Sequence, residues 1–476
     1  RTPNRLVLHA GTLDGDAYEK WVAGLDANGQ PKGRLRTDAR GLRFVEVVVN
    51  GPKTWSIAAA ISPEVALAYD RALDRAANEI VSWLAANSTT RVGPRGGQVQ
   101  VPVDRIEAAV IRHYTSRAGD PHRHLHLQIN SRVLAQGAWR GLHSVGVVDS
   151  IEAINGMGHA AVACDPNFRR ELARQGYTFD PSTGEITELV PFAKSFSQRA
   201  AQINRNVDRY DAEWRRVRPG QEPDAKLRRT WDRRAWAEAR PDKGAPTSGK
   251  ALARRWDEEL RELGFRPPSP SQAGVTVTPI GALKREPIVE LVQARLGSRR
   301  SAWNAADVRG EVERILAEVN VVCELSVRRE LAEDLTARTV NACVPLLDRD
   351  DVPDHVRSLT SAGVLSVESD LVARLADRAE PSTLSVVIES AGSAGRLDAC
   401  QQKVAAALSG TGRLVVVEGA AGAGKTTTLQ VAQQLLKGQF RQMCVVTPTL
   451  KAAQVVSNET GIRATSAAWV VHQHGF

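Results

Sequence analysis

The fold of the N-terminal part of the chain is decided by residues 112–130, which read RHYTSRAGDPHRHLHLQIN. Apolar and polar residues alternate strictly over 123–130, and this period of two predicts a half-buried β-strand. A second strand is predicted at 108–114, and the Gly-Asp-Pro sequence within 116–122 is typical of a turn. We therefore expect an antiparallel pair of strands with one apolar face and one polar face.

Three histidines are expected on the polar face of this pair. His124, His126 and Gln128 share one side of the second strand, and the turn brings His113 beside them. Three imidazoles on neighbouring strands form a facial site with open positions, which suits a divalent metal that also holds a substrate oxygen. A polar sheet face with incidental histidines is the alternative. His122 precedes the regular alternation and is predicted to lie in the turn.

A second stretch with definite chemistry is GAAGAGKT at 419–426, which fits the pattern G-x-x-x-x-G-K-[ST]. A strand is predicted before it at 413–418, a helix after it at 425–437, and a further strand at 442–447. Glycines let backbone N–H groups face phosphate, and the helix N-terminus adds a favourable dipole. The loop predicts binding of ATP and Mg²⁺ by Gly419, Gly422, Gly424, Lys425, Thr426 and Thr427.

Composition limits the possible classes of protein. A chain of 476 residues allows roughly two to four domains. The excess of Lys and Arg over Asp and Glu, 63 against 54, favours a polyanionic partner. Without a run of about 18 apolar residues, membrane insertion is not expected. Five scattered cysteines argue against a disulfide framework and a thiolate zinc site, and they fit a cytoplasmic location.

Domain boundaries follow from proline content and helical periodicity. We expect an α+β domain over 1–265, a proline-rich linker at 266–283, a helical connector at 284–395, and the incomplete start of an α/β domain at 396–476. Tryptophan and arginine are interleaved over 198–262. They could hold single-stranded DNA, but mixed acidic residues favour solvated helices with tryptophans packed beneath.

The histidine spacing, the sequence FVEVVVNGPKTWS at 44–56 and the helix ending at Gly176 resemble conjugative relaxases of the MobF (TrwC/TraI-like) family. The resemblance covers about residues 15–265. It implies an antiparallel-sheet, HUH-type domain in which Mg, Mn or Zn polarises the scissile phosphate of single-stranded DNA at a transfer origin. A tyrosine then forms a 5′-phosphotyrosyl link. The implied metal ligands are His113, His124 and His126, and conjugation accessory and coupling proteins are implied partners.

Two positions depart from this family pattern. Glu46 stands where the family usually has Asp; its implied role is to orient a histidine or the tyrosine, and a charge paired within the sheet is the alternative. Tyr18 is the single early tyrosine where the family has several. We expect the nucleophile to lie upstream of Arg1, with Tyr18 as the other candidate. Lys53 and Arg117 are predicted to contact DNA.

Residues 397–402 and 447–453 resemble two motifs of superfamily 1 helicases related to RecD, and the MobF family carries relaxase and helicase in this order. The resemblance implies a RecA-like domain in which Gln401 reads adenine and Thr449 touches single-stranded DNA. Gln401 could instead be an ordinary helix-surface residue. Since no Walker B carboxylates and no second motor lobe follow, we expect nucleotide binding without unwinding.

Two alternatives to a relaxase–helicase remain at this point. One is a remnant that binds metal and DNA without turnover, which differs in activity rather than in ancestry. The other is a histidine-triad nucleotide hydrolase, which the spacing of residues 122–128 also resembles. That family needs neither His113 nor a following phosphate loop, and both are present here.

Overall fold

A computed structural model describes residues 7–35, 38, 41–94, 97–218, 223, 225–238, 249–271, 274–349, 352, 355–379, 397–420 and 423–473. The strands are β1 Phe44–Asn50, β2 Thr89–Val92, β3 Val99–Pro102, β4 Ala108–Thr115, β5 Pro121–Asn130, β6 Arg132–Ala135, β7 Ala138–Gly141, β8 Val344–Pro345, β9 Leu359–Thr360, β10 Cys444–Thr447 and β11 Arg463–Ser466. The helices are α1 Gly15–Ala23, α2 Lys53–Ile61, α3 Pro63–Asn87, α4 Ser144–Asp149, α5 Ile151–Ala163, α6 Pro166–Arg174, α7 Gln198–Val217, α8 Ala225–Ala237, α9 Gly249–Glu262, α10 Arg285–Gly297, α11 Ala305–Glu318, α12 Leu325–Asn341, α13 Ala362–Arg378, α14 Ala399–Ser409, α15 Lys425–Gly438, α16 Leu450–Thr460 and α17 Ala467–Gln473.

The chain divides into two compact units. Unit 1 contains Arg1–Arg199 and Pro241–Leu365, and unit 2 contains Ala200–Arg240 and Ser366–Phe476. The proline-rich stretch at 266–283 and the helices α10 to α12 belong to unit 1. In the part of the chain that the structure describes, no helix combines the length and apolar character needed to cross a bilayer.

The central sheet of unit 1 has the strand order β1-β5-β4, and both pairs are antiparallel. The side chains of Leu125, Leu127 and Ile129 are fully buried on its inner face, as their alternation predicts. The two strands predicted around the histidines are therefore confirmed, with β4 and β5 paired as expected.

The prediction that His122 lies in the turn is wrong. The backbone N–H of Ser116 donates to the carbonyl of Asp120, which closes the turn within residues 116–120. Pairing resumes at once between Thr115 and Pro121, beyond a β-bulge that follows His113. The turn is shorter than its polar composition suggests, so β5 begins early enough to include His122.

Helix α11 packs directly on helix α5, which precedes the proline-rich stretch in the sequence. A Cβ atom added at Gly156 would lie 2.5 Å from the carbonyl oxygen of Gly310, so the two backbones are in contact at these glycines. Glycine permits this approach because it has no side chain. The helices that follow the proline-rich stretch are thereby held against the core beneath the sheet.

A buried cluster of charges joins α3, α11 and α12. Arg328 is 1% exposed and forms ion pairs with Glu79 and Glu313. Arg309 lies 2.8 Å from Glu313 in the same cluster. Two guanidinium groups thus offset two carboxylates, which is the condition under which buried charges are tolerated.

Unit 2 contains the phosphate-loop region. Helix α15 confirms the helix predicted at 425–437, and β10 confirms the strand predicted at 442–447; β10 pairs in parallel with β11. The strand predicted at 413–418 is wrong, because these residues are not paired into a sheet. An apolar run becomes a buried strand only when neighbouring strands cover it, and here Val416 is 79% exposed.

Candidate metal centre and phosphate loop

The three predicted histidines converge. His113 on β4 lies opposite His124 on β5, and His126 follows on the same face. One nitrogen from each of the three rings lies within 4.8 Å of the other two. The Nε2 atoms of His124 and His126 are 3.2 Å apart. Two nitrogens that each lie about 2.0–2.1 Å from one ion are separated by roughly 3–3.4 Å, so this spacing fits a shared metal.

Hydrogen bonds fix the tautomers of two of these rings. Nδ1 of His124 lies 2.8 Å from the carbonyl oxygen of His122, and Nδ1 of His126 lies 3.0 Å from Oε1 of Glu46. Both oxygens are acceptors, so Nδ1 carries the proton in each ring and the Nε2 lone pair can bind a metal. Such outer partners orient the ligands of metal sites and raise their basicity.

Burial keeps the imidazoles of His122 and His124 neutral. It is the largest of the effects that lower the pKa of His124 to about 4 and that of His122 to about 3. The ring of His122 stacks on that of His124, with 4.3 Å between the centroids. Neutral imidazole is the form that binds a metal, so His124 needs no deprotonation at neutral pH.

Glu46 faces the histidines from β1. Burial raises the pKa of its carboxyl group, but hydrogen bonds from Gln128 and His126 outweigh that effect, and the net pKa lies below its ordinary value. Nε2 of Gln128 donates to Oε2 of Glu46 over 2.9 Å. The carboxylate of Glu46 pairs with Gln128 within the sheet and also contacts His126, a predicted metal ligand. The two alternatives for Glu46, a charge paired within the sheet and a residue that orients a histidine, are therefore compatible.

Tyr18 reaches the same network from α1. Its hydroxyl donates to Oε1 of Gln128 over 2.6 Å. Helix α1 is capped by the side chain of Asp14, and Nδ2 of Asn130 donates to the carbonyl of Trp21, which fixes the helix at the end of β5. Sequence reasoning did not assign a role to Gln128, although the strand alternation placed it on the histidine face.

The other four tyrosines lie elsewhere. Tyr69 is fully buried in the core, where its hydroxyl accepts from the backbone N–H of Gly51, and Tyr177 is also buried. Tyr114 is exposed beneath the guanidinium of Arg123, and Tyr210 belongs to unit 2. Among the tyrosines, Tyr18 is the one joined by hydrogen bonds to the histidine site.

Lys53, one of the two residues predicted to contact DNA in this domain, lies at the start of the strand that carries His124 and His126. It begins α2, and its Nζ donates to the carbonyl of Pro121, the first residue of β5, over 3.0 Å. Burial lowers the pKa of Lys53, and its charge helps lower the pKa values of His122 and His124. Arg117 lies in the turn between β4 and β5.

Two tryptophans of the arginine-rich helices, Trp231 and Trp256, are packed inward, whereas Trp236 is 54% exposed. In unit 2, Trp231 is buried and Arg234 pairs with Glu238 over 3.1 Å. In unit 1, Trp256 is buried and its indole N–H donates to the carbonyl of Gly119 over 3.0 Å. The expectation of tryptophans packed beneath solvated helices therefore holds for Trp231 and Trp256 and not for Trp236.

In the phosphate loop of unit 2, the lysine side chain forms hydrogen bonds with carbonyl groups of the loop itself. Nζ of Lys425 donates to the carbonyls of Gly419 and Ala420 over 2.9 and 2.8 Å. Gly424 adopts a left-handed conformation, φ +71°, at the start of α15. Gly422 lies outside the described residues. Thr426 and Thr427 occupy the first turn of the helix.

Two further predicted residues lie at helix N-termini in unit 2. Nε2 of Gln401, on α14, donates to the carbonyl of Ala423 in the phosphate loop over 3.0 Å. Thr449 is the N-cap of α16, and its hydroxyl accepts from the backbone N–H of Ala452. Gln401 therefore touches the predicted nucleotide loop, whereas Thr449 performs an ordinary capping role.

Two family models match the chain, one over residues 2–263 and the other over residues 396–475. The model of the TrwC relaxase family matches residues 2–263, more than half of the sequence. The chain belongs to the TrwC relaxase family. A model described as an AAA domain matches residues 396–475 of this TrwC-family relaxase, so a helicase-like AAA domain follows the relaxase domain in one chain. No curated protein matches the sequence.

Solved structures of TrwC are among its structural neighbours. A metal-free conjugative relaxase TrwC in complex with oriT DNA is 21% identical, covers 54% of this chain and 85% of its own, and has a TM-score of 0.41. The metal-bound structure of TrwC with oriT DNA is 20% identical, covers 54% of this chain and 84% of its own, and has a TM-score of 0.43. The family assignment rests on the family model.

Proposed function

We propose that this TrwC-family relaxase nicks single-stranded DNA at a transfer origin with the help of a divalent metal held by His113, His124 and His126. The observation that carries the proposal is the convergence of three histidine nitrogens, two of them in tautomers that direct Nε2 into the site. A bound Mg²⁺, Mn²⁺ or Zn²⁺ would polarise the scissile phosphate and offset its developing charge.

The residues of the chain supply the remaining parts of the reaction. Glu46 holds His126 in its ligating orientation. Tyr18 is the candidate nucleophile: its hydroxyl would release its proton to solvent, and its oxygen would bond to phosphorus as the P–O3′ bond breaks. This leaves a 5′-phosphotyrosyl link, and the departing 3′-oxygen takes up a proton from solvent to become a free 3′-OH. The hydrogen bond from Tyr18 to Gln128 supports this role, and a tyrosine upstream of Arg1 is the alternative.

Covalent capture of DNA tests this proposal. The full chain would be incubated with Mn²⁺ and a randomised pool of single-stranded oligonucleotides, and adducts would be detected on a denaturing gel and mapped by mass spectrometry. We expect an adduct on Tyr18 that is lost in the variant with His113, His124 and His126 all changed to Ala. An adduct that persists in Y18F would assign the nucleophile elsewhere. Failure of the wild-type chain to exceed the triple variant would contradict Tyr18 as the nucleophile and favour the upstream tyrosine or a non-catalytic remnant.

We also propose that the AAA domain binds ATP with Mg²⁺. The observation in favour is the left-handed Gly424 followed directly by Lys425 at a helix N-terminus, the arrangement that cradles phosphate. Lys425 would exchange its loop carbonyls for the β- and γ-phosphates, Thr426 would face Mg²⁺, and Gln401 would lie beside adenine. A fluorescent ATP analogue should bind the wild type and lose at least about tenfold in affinity in K425A; equal affinity would contradict the proposal.

Contacts with DNA and with other proteins complete the proposed function. Lys53 and Arg117 are proposed to contact the DNA strand at the histidine site, and Thr449 is proposed to touch single-stranded DNA in the AAA domain. The hydrogen bond from Lys53 to the carbonyl of Pro121, the first residue of β5, supports the assignment of Lys53. Accessory and coupling proteins of conjugation are the proposed macromolecular partners.

A further inference from the structure

The side chain of Gln128 occupies a central place in the histidine site. It is 5% exposed and lies on β5 between the two groups that the proposed reaction requires. Its Oε1 accepts from the hydroxyl of Tyr18 over 2.6 Å, and its Nε2 donates to Oε2 of Glu46 over 2.9 Å. The other oxygen of Glu46 lies 3.0 Å from Nδ1 of His126. One amide therefore links the tyrosine to a metal-ligating ring through a single carboxylate.

The direction of each hydrogen bond in this chain follows from the chemistry of its members. A carboxylate accepts hydrogen bonds, so the amide of Gln128 turns its NH₂ group towards Glu46. Its carbonyl oxygen then faces Tyr18, which must donate. An amide oxygen is too weak a base to take the phenolic proton. Gln128 therefore fixes where the tyrosine oxygen lies and leaves the lone pairs of that oxygen directed away from the amide.

The same amide restricts the carboxylate of Glu46. With Oε2 bound to Gln128, Oε1 is the oxygen that faces His126. A carboxylate bonded at both oxygens has lost its freedom to rotate, and the imidazole that it holds is fixed in turn. Partners of this kind typically change metal affinity by about 10–100-fold when they are removed.

We propose that Gln128 is a positioning residue that couples the two halves of the site, because its amide orients Glu46 on His126 and holds the hydroxyl of Tyr18 at the edge of the histidines. This inference rests on the proposed relaxase function and deepens it. A buried amide is costly unless it is hydrogen-bonded, and an apolar side chain could fill this position, so packing alone does not account for glutamine here.

Binding of Co²⁺ tests the metal side of the inference without any DNA. In Q128M the side chain keeps nearly the same volume and loses both hydrogen bonds. We expect Q128M to bind Co²⁺ about tenfold more weakly or worse, with a changed visible absorption spectrum. Y18F is the matched control, because it removes only the hydrogen bond between Tyr18 and Gln128 and keeps the one from Gln128 to Glu46. We expect Y18F to bind Co²⁺ within about threefold of the wild-type affinity and with the wild-type absorption spectrum.

Each outcome has a separate meaning. Wild-type affinity and spectrum in Q128M would overturn the inference, and an equal loss in Y18F would assign the effect to general repacking of α1 and also overturn it. If the triple variant of His113, His124 and His126 binds Co²⁺ like the wild type, the proposed metal site itself fails. If Q128M does not fold by circular dichroism, Q128N replaces it, because its shorter amide cannot span both partners.

The tyrosine side of the inference is tested by the adduct assay at metal concentrations that saturate each variant. Under those conditions the weaker metal binding of Q128M no longer limits the reaction. We expect the rate of adduct formation to stay at least about tenfold below that of the wild type, because the hydroxyl of Tyr18 has lost its anchor. Full recovery of the rate at saturating metal would contradict the positioning of the tyrosine by Gln128.

Discussion

The buried charge cluster of unit 1 gives a prediction whose size follows from the structure. Arg328, on α12, is 1% exposed and pairs with Glu79 on α3 and Glu313 on α11. With Arg309 the cluster contains two positive and two negative groups. The substitution R328M approximately preserves side-chain volume but leaves one buried negative charge without a partner. The unpaired charge is costly to bury, so the packing of α11 and α12 against α3 is destabilised.

Removing one partner from a buried ion pair costs about 3–5 kcal/mol of unfolding free energy. Domains of 150–250 residues lose about 2–4 °C of melting temperature per kcal/mol, and unit 1 is larger, so the lower value applies. We therefore expect R328M to lower the melting temperature of unit 1 by about 6–10 °C.

Differential scanning calorimetry at neutral pH measures this shift. The double variant R328M/E79Q is the control, because it removes one positive and one negative group and leaves Arg309 paired with Glu313. We expect it to recover at least about half of the lost stability. A melting temperature of R328M within about 2 °C of the wild type would refute the argument that this cluster stabilises unit 1.

Two further predictions concern packing and thiol chemistry. A Cβ at Gly310 would lie 2.3 Å from the carbonyl oxygen of Glu152, so G310A should lower the free energy of unfolding in urea by about 1–3 kcal/mol. The control is G158A, whose Cβ would meet Val49 at 3.4 Å and which should lower that free energy by less than about 1 kcal/mol. Equal losses in the two variants would contradict close backbone packing of α5 and α11. Burial raises the pKa of Cys164 to about 12, so maleimide at pH 8 should label this thiol only after the protein unfolds. Mass spectrometry of the native protein should find early labelling at the exposed Cys400 and Cys444. Labelling of native Cys164 as fast as that of these two thiols would contradict the prediction.

The histidine face could be predicted from the sequence because its information is local. Alternation over a single strand determines which side chains share a face, and a short turn determines which residue of the preceding strand lies opposite. Leu125 and Leu127 are buried and His126 faces the site for this reason. The phosphate loop is local in the same way, since its glycines, lysine and following helix are consecutive.

The remaining features depend on contacts between distant parts of the chain. Tyr18 and Gln128 are 110 residues apart in sequence, and no period or spacing links them. The packing of α11 on α5 depends on Gly156 and Gly310. Nothing in the sequence around either glycine indicates that the two are in contact. The apolar run at 413–418 lacked a sheet neighbour, which hydrophobicity alone does not reveal.

Metal content tests the central claim most directly. Purified wild-type chain and the variant with His113, His124 and His126 changed to Ala would be soaked with Mn²⁺ or Zn²⁺, desalted and measured by inductively coupled plasma mass spectrometry. The convergence of the three rings predicts about one divalent ion per wild-type chain and none in the variant. No metal in either protein would contradict the three-histidine site and, with it, the metal-assisted reaction proposed for this relaxase.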